Sequence, residues 1–185
     1  MRKLFVGSAL ACVLLANIVA AGAAAQTNFA GTWALDKSQS KDLPPQWANL
    51  ESLTLTVTQD AQQVTVASAT TMAQDANAAG GGMGGGRRGM GGFPPSATYK
   101  LDGTETTVEA MGGRGGTSTM KAEWKDGGKT LVLKRVSKFN AGGNDVTATT
   151  TEEWTLSADG KTLTVKRTSE SPRGTQSSTL VFNKK

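Results

Sequence analysis

Apolar and polar residues alternate along most of the chain after residue 50, and this period of two constrains the fold more than any other feature. In "SLTLTVT", Leu53, Leu55 and Val57 fall on one face, and Ser52 and threonines fall on the other. Such alternation is typical of strands with one face in a core, and no segment after residue 25 has the apolar period of a helix. The pattern predicts about ten strands. They are expected at residues 29–35, 51–58, 62–70, 96–101, 104–110, 117–125, 129–137, 145–156, 161–168 and 175–183.

Short, aspartate-bearing connections alternate with longer ones along the chain. The short ones, at 59–62, 101–104, 125–128 and 157–160, are typical of tight hairpins. The longer ones fall at 36–51, 71–95, 111–116, 138–144 and 169–175. Because successive connections of a meander lie at opposite ends, tight turns would close one end and long loops would surround the other. The predicted fold is all-β: a single antiparallel up-and-down barrel of about 8–10 strands at residues 26–185, with a disordered glycine-rich loop at about 73–95.

The first 25 residues have the features of a signal peptide. Arg2 and Lys3 precede an almost wholly apolar run, which ends in "AGAAAQT". We expect cleavage after Ala25 and a secreted or periplasmic bacterial protein, with no transmembrane span in the mature chain. Cys12, the one cysteine, lies in this segment, and the chain has no histidine. The mature chain would therefore lack disulfides, thiolate catalysis and the commonest metal ligands, and we expect no metal and no cofactor.

Charge and motifs weigh against nucleic-acid binding and catalysis. Without Arg2 and Lys3, the 20 basic and 15 acidic residues become 18 and 15, a net charge near +3 and too mild to indicate nucleic acid. The stretch "GGGMGGGRRGMGGFPP" lacks the lysine of a phosphate loop. No nucleophile elbow is present, and adjacent Glu152 and Glu153 would face opposite sides of a strand, so the sequence predicts no enzyme. Arg87, Arg88 and Arg114 are candidates for contact with an envelope polyanion.

Two arginines are predicted to face the barrel interior near its open end. "EWKDGGKTLVLKRVS" and "EWTLSADGKTLTVKRTS" form an internal repeat of two hairpins. In it, Arg135 and Arg167 share a face with the apolar residues of their strands. Their partner is either the anionic group of a ligand, or Glu109, Glu152 or water. The candidate ligand-binding residues are these two arginines, Tyr99 on an inward face, and Trp47, which would cap the cavity or pin its loop to the barrel.

The segment "NFAGTWALDKS", residues 28–38, resembles the first-strand signature of lipocalins and the opening of secreted bacterial proteins with a lipocalin-like domain, most of unassigned function. Gly31 and Trp33 carry the match. The resemblance implies a barrel around a cavity for a small apolar ligand, with Trp33 near the closed end under an arginine from a late strand. Strand direction places Trp124 and Trp154 at that closed end, with Arg135 and Arg167 toward the other.

Together these patterns predict a monomeric binding protein that holds a small apolar or amphipathic ligand in the barrel. The alternative is a non-catalytic envelope or extracellular interaction module that binds through its glycine- and arginine-rich loops. The two hypotheses differ in whether the interior or the loops carry the binding site.

Overall fold

The computed structural model describes residues 26–73, 92–109 and 116–185, which form ten strands and two short 3₁₀ turns, Pro45–Trp47 and Asp126–Gly128. The ten strands predicted from the sequence are present in the predicted order, with bounds that differ by a few residues. They are β1 (Gly31–Lys41), β2 (Leu50–Gln59), β3 (Gln63–Met72), β4 (Ser96–Lys100), β5 (Thr106–Glu109), β6 (Gly116–Lys125), β7 (Thr130–Ala141), β8 (Asn144–Leu156), β9 (Thr162–Ser171) and β10 (Gly174–Lys184).

All ten strands belong to one antiparallel sheet that curls into a nearly closed up-and-down barrel. Apart from β4 and β5, each strand pairs with its neighbours in sequence, and β1 also pairs with β10, so the order is β4-β3-β2-β1-β10-β9-β8-β7-β6-β5. β4 and β5 form the two edges, and β4 lies against β6 where the sheet meets itself. The predicted all-β barrel is therefore confirmed.

Short and longer connections lie at opposite ends of the barrel, as the alternation predicted. Two of the predicted long loops, however, are tight hairpins. Residues 138–144 and 169–175 form two-residue hairpins, because Ala141 pairs with Asn144 and Ser171 pairs with Gly174. In the first hairpin, Gly142 and Gly143 have φ angles of 63° and 88°. Consecutive positive φ angles suit the twist of a tight hairpin, so the strands continue to the turn instead of ending in a loop.

The inner face of the sheet is almost entirely apolar, as the period of two predicted. Alternate residues of each long strand are buried, while their neighbours are partly or fully exposed. The largest side chains with under 2% exposure come from most of the strands and from the segment before β1: Phe29, Trp33, Leu50, Leu55, Val64, Leu131, Leu133, Trp154, Leu163, Val165, Leu180 and Phe182.

Phe29, in the segment before β1, fills the closed end of the barrel. Its ring stacks on Trp124 at a centroid distance of 6.1 Å and meets Trp154 edge-on at 6.0 Å. The Trp33 Nε1–H donates to the Phe29 carbonyl oxygen at 2.9 Å, and the Thr27 amide donates to the Gly128 oxygen at 2.8 Å. The tryptophans predicted to gather at this end therefore do so around one phenylalanine.

Several sequence predictions concern residues outside the described ranges. These are the signal peptide at 1–25, most of the glycine-rich loop, and the arginines Arg87, Arg88 and Arg114. Within the ranges that are described, no helix has the length and apolar character needed to cross a membrane.

A charged site in the barrel interior

Arg167 and Glu152 form a buried ion pair on the inner face of the barrel. They lie opposite each other in the ladder between β8 and β9, with exposures of 2% and 7%. Arg167 Nε is 3.6 Å from Glu152 Oε1, close enough for an ion pair but long for a hydrogen bond. The other carboxylate oxygen of Glu152 accepts a hydrogen bond from Trp154 Nε1 at 3.0 Å. The carboxylate is thus fixed from one side by Trp154 and faces the guanidinium on the other.

Arg167 is only partly satisfied by the residues that the structure describes. Its Nη2 donates to the carbonyl oxygen of Gly92 at 3.0 Å, whereas Nε and Nη1 have no hydrogen-bond acceptor among those residues. Arg135, half-buried on β7, also donates from Nη2 to the Gly92 oxygen, at 3.4 Å. Two cationic side chains therefore converge on one neutral backbone oxygen.

The interior carries more positive than negative charge in the described part of the chain. Glu152 is ion-paired with Arg167, and no carboxylate of the described residues lies within ion-pair distance of Arg135. Glu109, the other partner predicted from the sequence, is exposed at the end of β5. Of the alternatives that the sequence left open, Glu152 is therefore the protein's own partner for Arg167. An excess of one positive charge remains.

Tyr99 is buried on β4, close enough to Glu152, Arg135 and Arg167 for their charges to act on its hydroxyl. Burial raises the pKa of the Tyr99 hydroxyl, and the Glu152 carboxylate acts in the same direction. Burial lowers the pKa of Arg167 and the charge of Arg135 adds to this, while Glu152 opposes it. At neutral pH the tyrosine stays protonated and is able to donate a hydrogen bond.

Aromatic rings pack against the charged site. The Trp47 ring, in the 3₁₀ turn between β1 and β2, is 8% exposed and stacks on Phe93 at 6.3 Å. Phe93 meets Phe182 of the core edge-on at 6.3 Å, and the Arg167 Cζ lies 4.7 Å from the Phe93 centroid. Trp47 is therefore both packed on the barrel and connected, through Phe93, to Arg167.

The structure links the four predicted ligand-binding residues: Arg135 and Arg167 share the Gly92 oxygen, Tyr99 is buried near their charges, and Trp47 reaches Arg167 through Phe93. Gly92 and Phe93 were missed, because they lie in a glycine-rich stretch without period. The one signal that would have pointed to them is a lone aromatic residue followed by Pro94 and Pro95. An aromatic residue at the end of a glycine-rich stretch is a candidate for insertion into a core.

The signature residues Gly31 and Trp33 have a packing role at the closed end, with a lysine where the resemblance implied an arginine. Lys184 Nζ lies 5.3 Å from the Trp33 ring centroid. A Cβ at position 31 would sit 3.0 Å from Lys184 Cε, so the glycine leaves room for the lysine stem. The sequence signal for this contact was the parity of Lys184 with Leu180 and Phe182.

The outer face offers less chemistry than the interior. Two open grooves run over the sheet. The second also reaches Arg167 and Ser178, but the outward charges of the two grooves are mixed: Lys121, Glu123 and Lys134 in the first, and Glu153, Lys166 and Glu170 in the second, among others. Because these charges are of both signs and reach solvent, water satisfies them without a ligand. Within the described ranges no group of three or more acidic, cysteine or histidine side chains is placed to hold a metal ion.

The fold and this site define a ten-stranded up-and-down barrel whose largely apolar interior holds two arginines and one glutamate. No family model and no curated protein matches the chain. Among solved structures, it is similar to the "REP1-NXSQ fatty acid transporter" at 10% identity and a TM-score of 0.48, covering 85% of this chain and 96% of that one. A point mutant of that transporter matches at 12% identity and 0.48, covering 85% and 98%.

The zebrafish ileal bile acid-binding protein in complex with cholic acid is a third similar structure, at 12% identity and a TM-score of 0.44, over 85% of this chain and 98% of that one. All three TM-scores lie below 0.5, so the likeness carries no inference about ligand or site residues.

Proposed function

We propose that this protein is a secreted or periplasmic binding protein that holds a small amphipathic molecule in its barrel, with an anionic head group at Arg135 and Arg167. The observation that supports it best is the unfilled bonding capacity of Arg167, which is 2% exposed and has two nitrogens without an acceptor in the described residues. A wholly unpaired buried guanidinium costs on the order of several kcal/mol, and Arg167 is only partly paired, so an anion that completes its bonds would bind favourably.

The arrangement is better explained by binding than by stability. Buried ion pairs contribute little net stability, and apolar replacements of similar volume are often neutral or stabilising, by about 1–4 kcal/mol. Two inward arginines therefore contribute little to the stability of the core, but they are well suited to bind an anion. A carboxylate is the natural partner of a guanidinium, because it accepts two parallel hydrogen bonds.

The surroundings of the arginines favour an apolar body behind the head group. Most of the other buried residues are aliphatic or aromatic, with Val66, Ala97 and Leu180 among them. Tyr99, protonated at neutral pH, offers a further donor to a carboxylate or sulfonate. The proposal assigns no catalytic step to these groups: Arg135 and Arg167 bind the head group, and Glu152 is the counter-charge of Arg167 in the free protein.

The proposal is tested by comparing the affinity for dodecanoate with that for dodecanol, which has the same chain but no charge and should therefore bind more weakly. Calorimetric titration of the protein without residues 1–25 should show that dodecanoate binds and that Arg135→Leu weakens it about ten-fold or more, the scale of a charge-assisted hydrogen bond. Arg173→Leu, at an exposed hairpin, is the matched control and should leave affinity unchanged. Equal dodecanoate affinity in wild type and Arg135→Leu would overturn the proposal.

The location is tested separately. Expression of residues 1–185 in a Gram-negative host, followed by fractionation and mass spectrometry, should yield a periplasmic chain that begins at Gln26. A cytoplasmic chain that retains residues 1–25 would contradict the proposed location but not the proposed ligand class.

A further inference from the structure

Residues Gly92 and Phe93 occupy the site that the proposed function assigns to a ligand. The Gly92 carbonyl oxygen accepts hydrogen bonds from Arg167 at 3.0 Å and from Arg135 at 3.4 Å. The Phe93 ring lies between Trp47 and Phe182, with the Arg167 guanidinium 4.7 Å from its centroid. One acceptor oxygen and one adjacent apolar group thus fill the place of a head group and a tail.

The segment is held at its far side by one residue of β3. The Ser68 hydroxyl donates to the Pro94 oxygen at 2.7 Å, and the Ser68 amide donates to the Pro95 oxygen at 3.0 Å. These bonds anchor the two prolines at the barrel wall, beside the start of β4. Phe93 itself is only half-buried, so its withdrawal would expose less apolar surface than removal of a core residue.

The two arginines hold Gly92 less strongly than they would hold an anion. A backbone carbonyl is neutral, whereas hydrogen bonds between two ionised groups are shorter and stronger than those with a neutral partner. The carbonyl also leaves Nε and Nη1 of Arg167 without an acceptor in the described residues. An anionic head group would therefore have the advantage over Gly92 at the arginines.

We propose that Gly92 and Phe93 act as a built-in competitor for the ligand site, with the Gly92 oxygen marking the position of the ligand's anionic oxygen and Phe93 that of its adjacent apolar group. An anionic amphiphile displaces both residues, and the segment pivots at the prolines bonded to Ser68. The apparent association constant is then the intrinsic constant multiplied by the fraction of molecules in which Phe93 is withdrawn. This inference rests on the proposed function.

Phe93→Ala tests the competition directly, because it removes the ring and leaves the Gly92 carbonyl and the Ser68 anchor. Dodecanoate should bind the variant about five- to ten-fold more tightly than wild type, since the withdrawn state becomes more populated. Leu156→Ala is the matched control: Leu156 also packs, partly buried, on the core but lies at the closed end. It should lower stability and leave the dissociation constant unchanged.

The outcomes separate this inference from the proposed function. Dodecanoate that binds wild type and Phe93→Ala equally, or binds the variant more weakly, would overturn the competition and make Phe93 part of the wall or of the ligand contact. Folded wild type and folded Phe93→Ala that both fail to bind dodecanoate would instead overturn the proposed function.

A second measurement uses the unsubstituted side chains. The chain has five phenylalanines, so fluorine NMR of protein labelled with 4-fluorophenylalanine gives few resonances, and Phe93→Leu assigns the one from position 93. On saturation with dodecanoate, this resonance should move toward the solvent-exposed shift and broaden with a soluble paramagnetic agent, while Phe182 stays protected. A Phe93 resonance that remains protected at saturation would overturn the inference.

Discussion

Arg167 Nε lies 3.6 Å from Glu152 Oε1, and both side chains are buried on the inner face of the barrel. Because Arg135 also lies inward without a carboxylate partner in the described residues, Glu152 alone offsets the positive charge of this region. The same carboxylate lowers the energy of Arg167 in the free protein and competes with any anion for it. Glu152 should therefore influence stability and ligand affinity in opposite directions.

Glu152→Gln removes the charge but keeps an acceptor for Trp154. We expect the free energy of unfolding to fall by about 1–3 kcal/mol, because Arg167 loses its buried counter-charge. Dodecanoate should bind several-fold more tightly, since the interior gains net positive charge. Urea unfolding and calorimetric titration measure the two effects on the same protein.

Glu153→Gln is the matched control for this prediction. Glu153 is the next residue of β8, faces outward and pairs with the exposed Lys125 at 3.3 Å. Its loss should change the free energy of unfolding by less than about 1 kcal/mol and leave dodecanoate affinity unaltered. Weaker dodecanoate binding by Glu152→Gln would show that the carboxylate assists the ligand instead of competing with it.

The barrel was predictable from the sequence because its physical cause is local. Alternation at period two fixes which side chains are buried, and Asp-Gly turns fix where strands reverse. For this reason parity alone placed Arg135 and Arg167 on the inner face. The hairpin at Gly142 and Gly143 was mistaken for a loop because consecutive glycines are typical of both flexible loops and tight turns.

The content of the site was less predictable because it depends on contacts distant in sequence. The Gly92 oxygen meets Arg167 across 75 residues and Arg135 across 43. Nothing periodic marks Gly92 or Phe93, so their insertion follows only from the shape of the finished barrel. The pairing of Arg167 with Glu152 was one of several alternatives for the same reason. Parity placed Arg167 inward, but only the register between β8 and β9 makes Glu152 its neighbour.

Phe29→Ala should be among the most destabilising substitutions in the described chain. Phe29 is fully buried and its ring contacts both Trp124 and Trp154, so truncation leaves a cavity at the closed end. We expect a loss of about 3–5 kcal/mol in the free energy of unfolding, measured by urea denaturation followed by tryptophan fluorescence. Val108→Ala, at a 43% exposed position, should change it by about 0.5 kcal/mol or less. Similar losses in both variants would contradict the packing at this end.

Asp36 should make stability depend on pH in the acid range. Hydrogen bonds from the Ser38 side chain, and then from that of Gln39, lower the pKa of its carboxyl from 3.8 to about 2. A lowered folded-state pKa stabilises the fold above the unfolded value, and this contribution is lost as pH falls through the folded value. The stability advantage of wild type over Asp36→Asn should therefore shrink between about pH 4 and pH 2.

Ser38→Ala tests the cause assigned to this pKa. Without the Ser38 hydroxyl, which donates to Asp36 Oδ1 at 2.5 Å, the folded pKa should rise toward its usual value and the acid-range slope should flatten. Some slope should persist in both variants, because hydrogen bonds from Thr104 and Ser157 also lower the pKa values of Asp102 and Asp159. Parallel pH profiles for wild type and Asp36→Asn would contradict the assignment.

Gly116→Ala should be far more costly than Gly143→Ala, although both glycines have positive φ angles. At Gly116, with φ of 153°, a Cβ would lie 2.5 Å from the backbone oxygen of Lys138 and 3.2 Å from Phe139 Cα. These atoms belong to the paired strand β7 and cannot yield without breaking the ladder. At Gly143, with φ of 88°, nothing lies within 4 Å of the added carbon, so only backbone strain of about 1–2 kcal/mol remains. In urea, the free energy of unfolding of Gly116→Ala should therefore be about 3 kcal/mol or more below that of wild type. Equal losses at the two positions would show that β6 and β7 separate at Gly116.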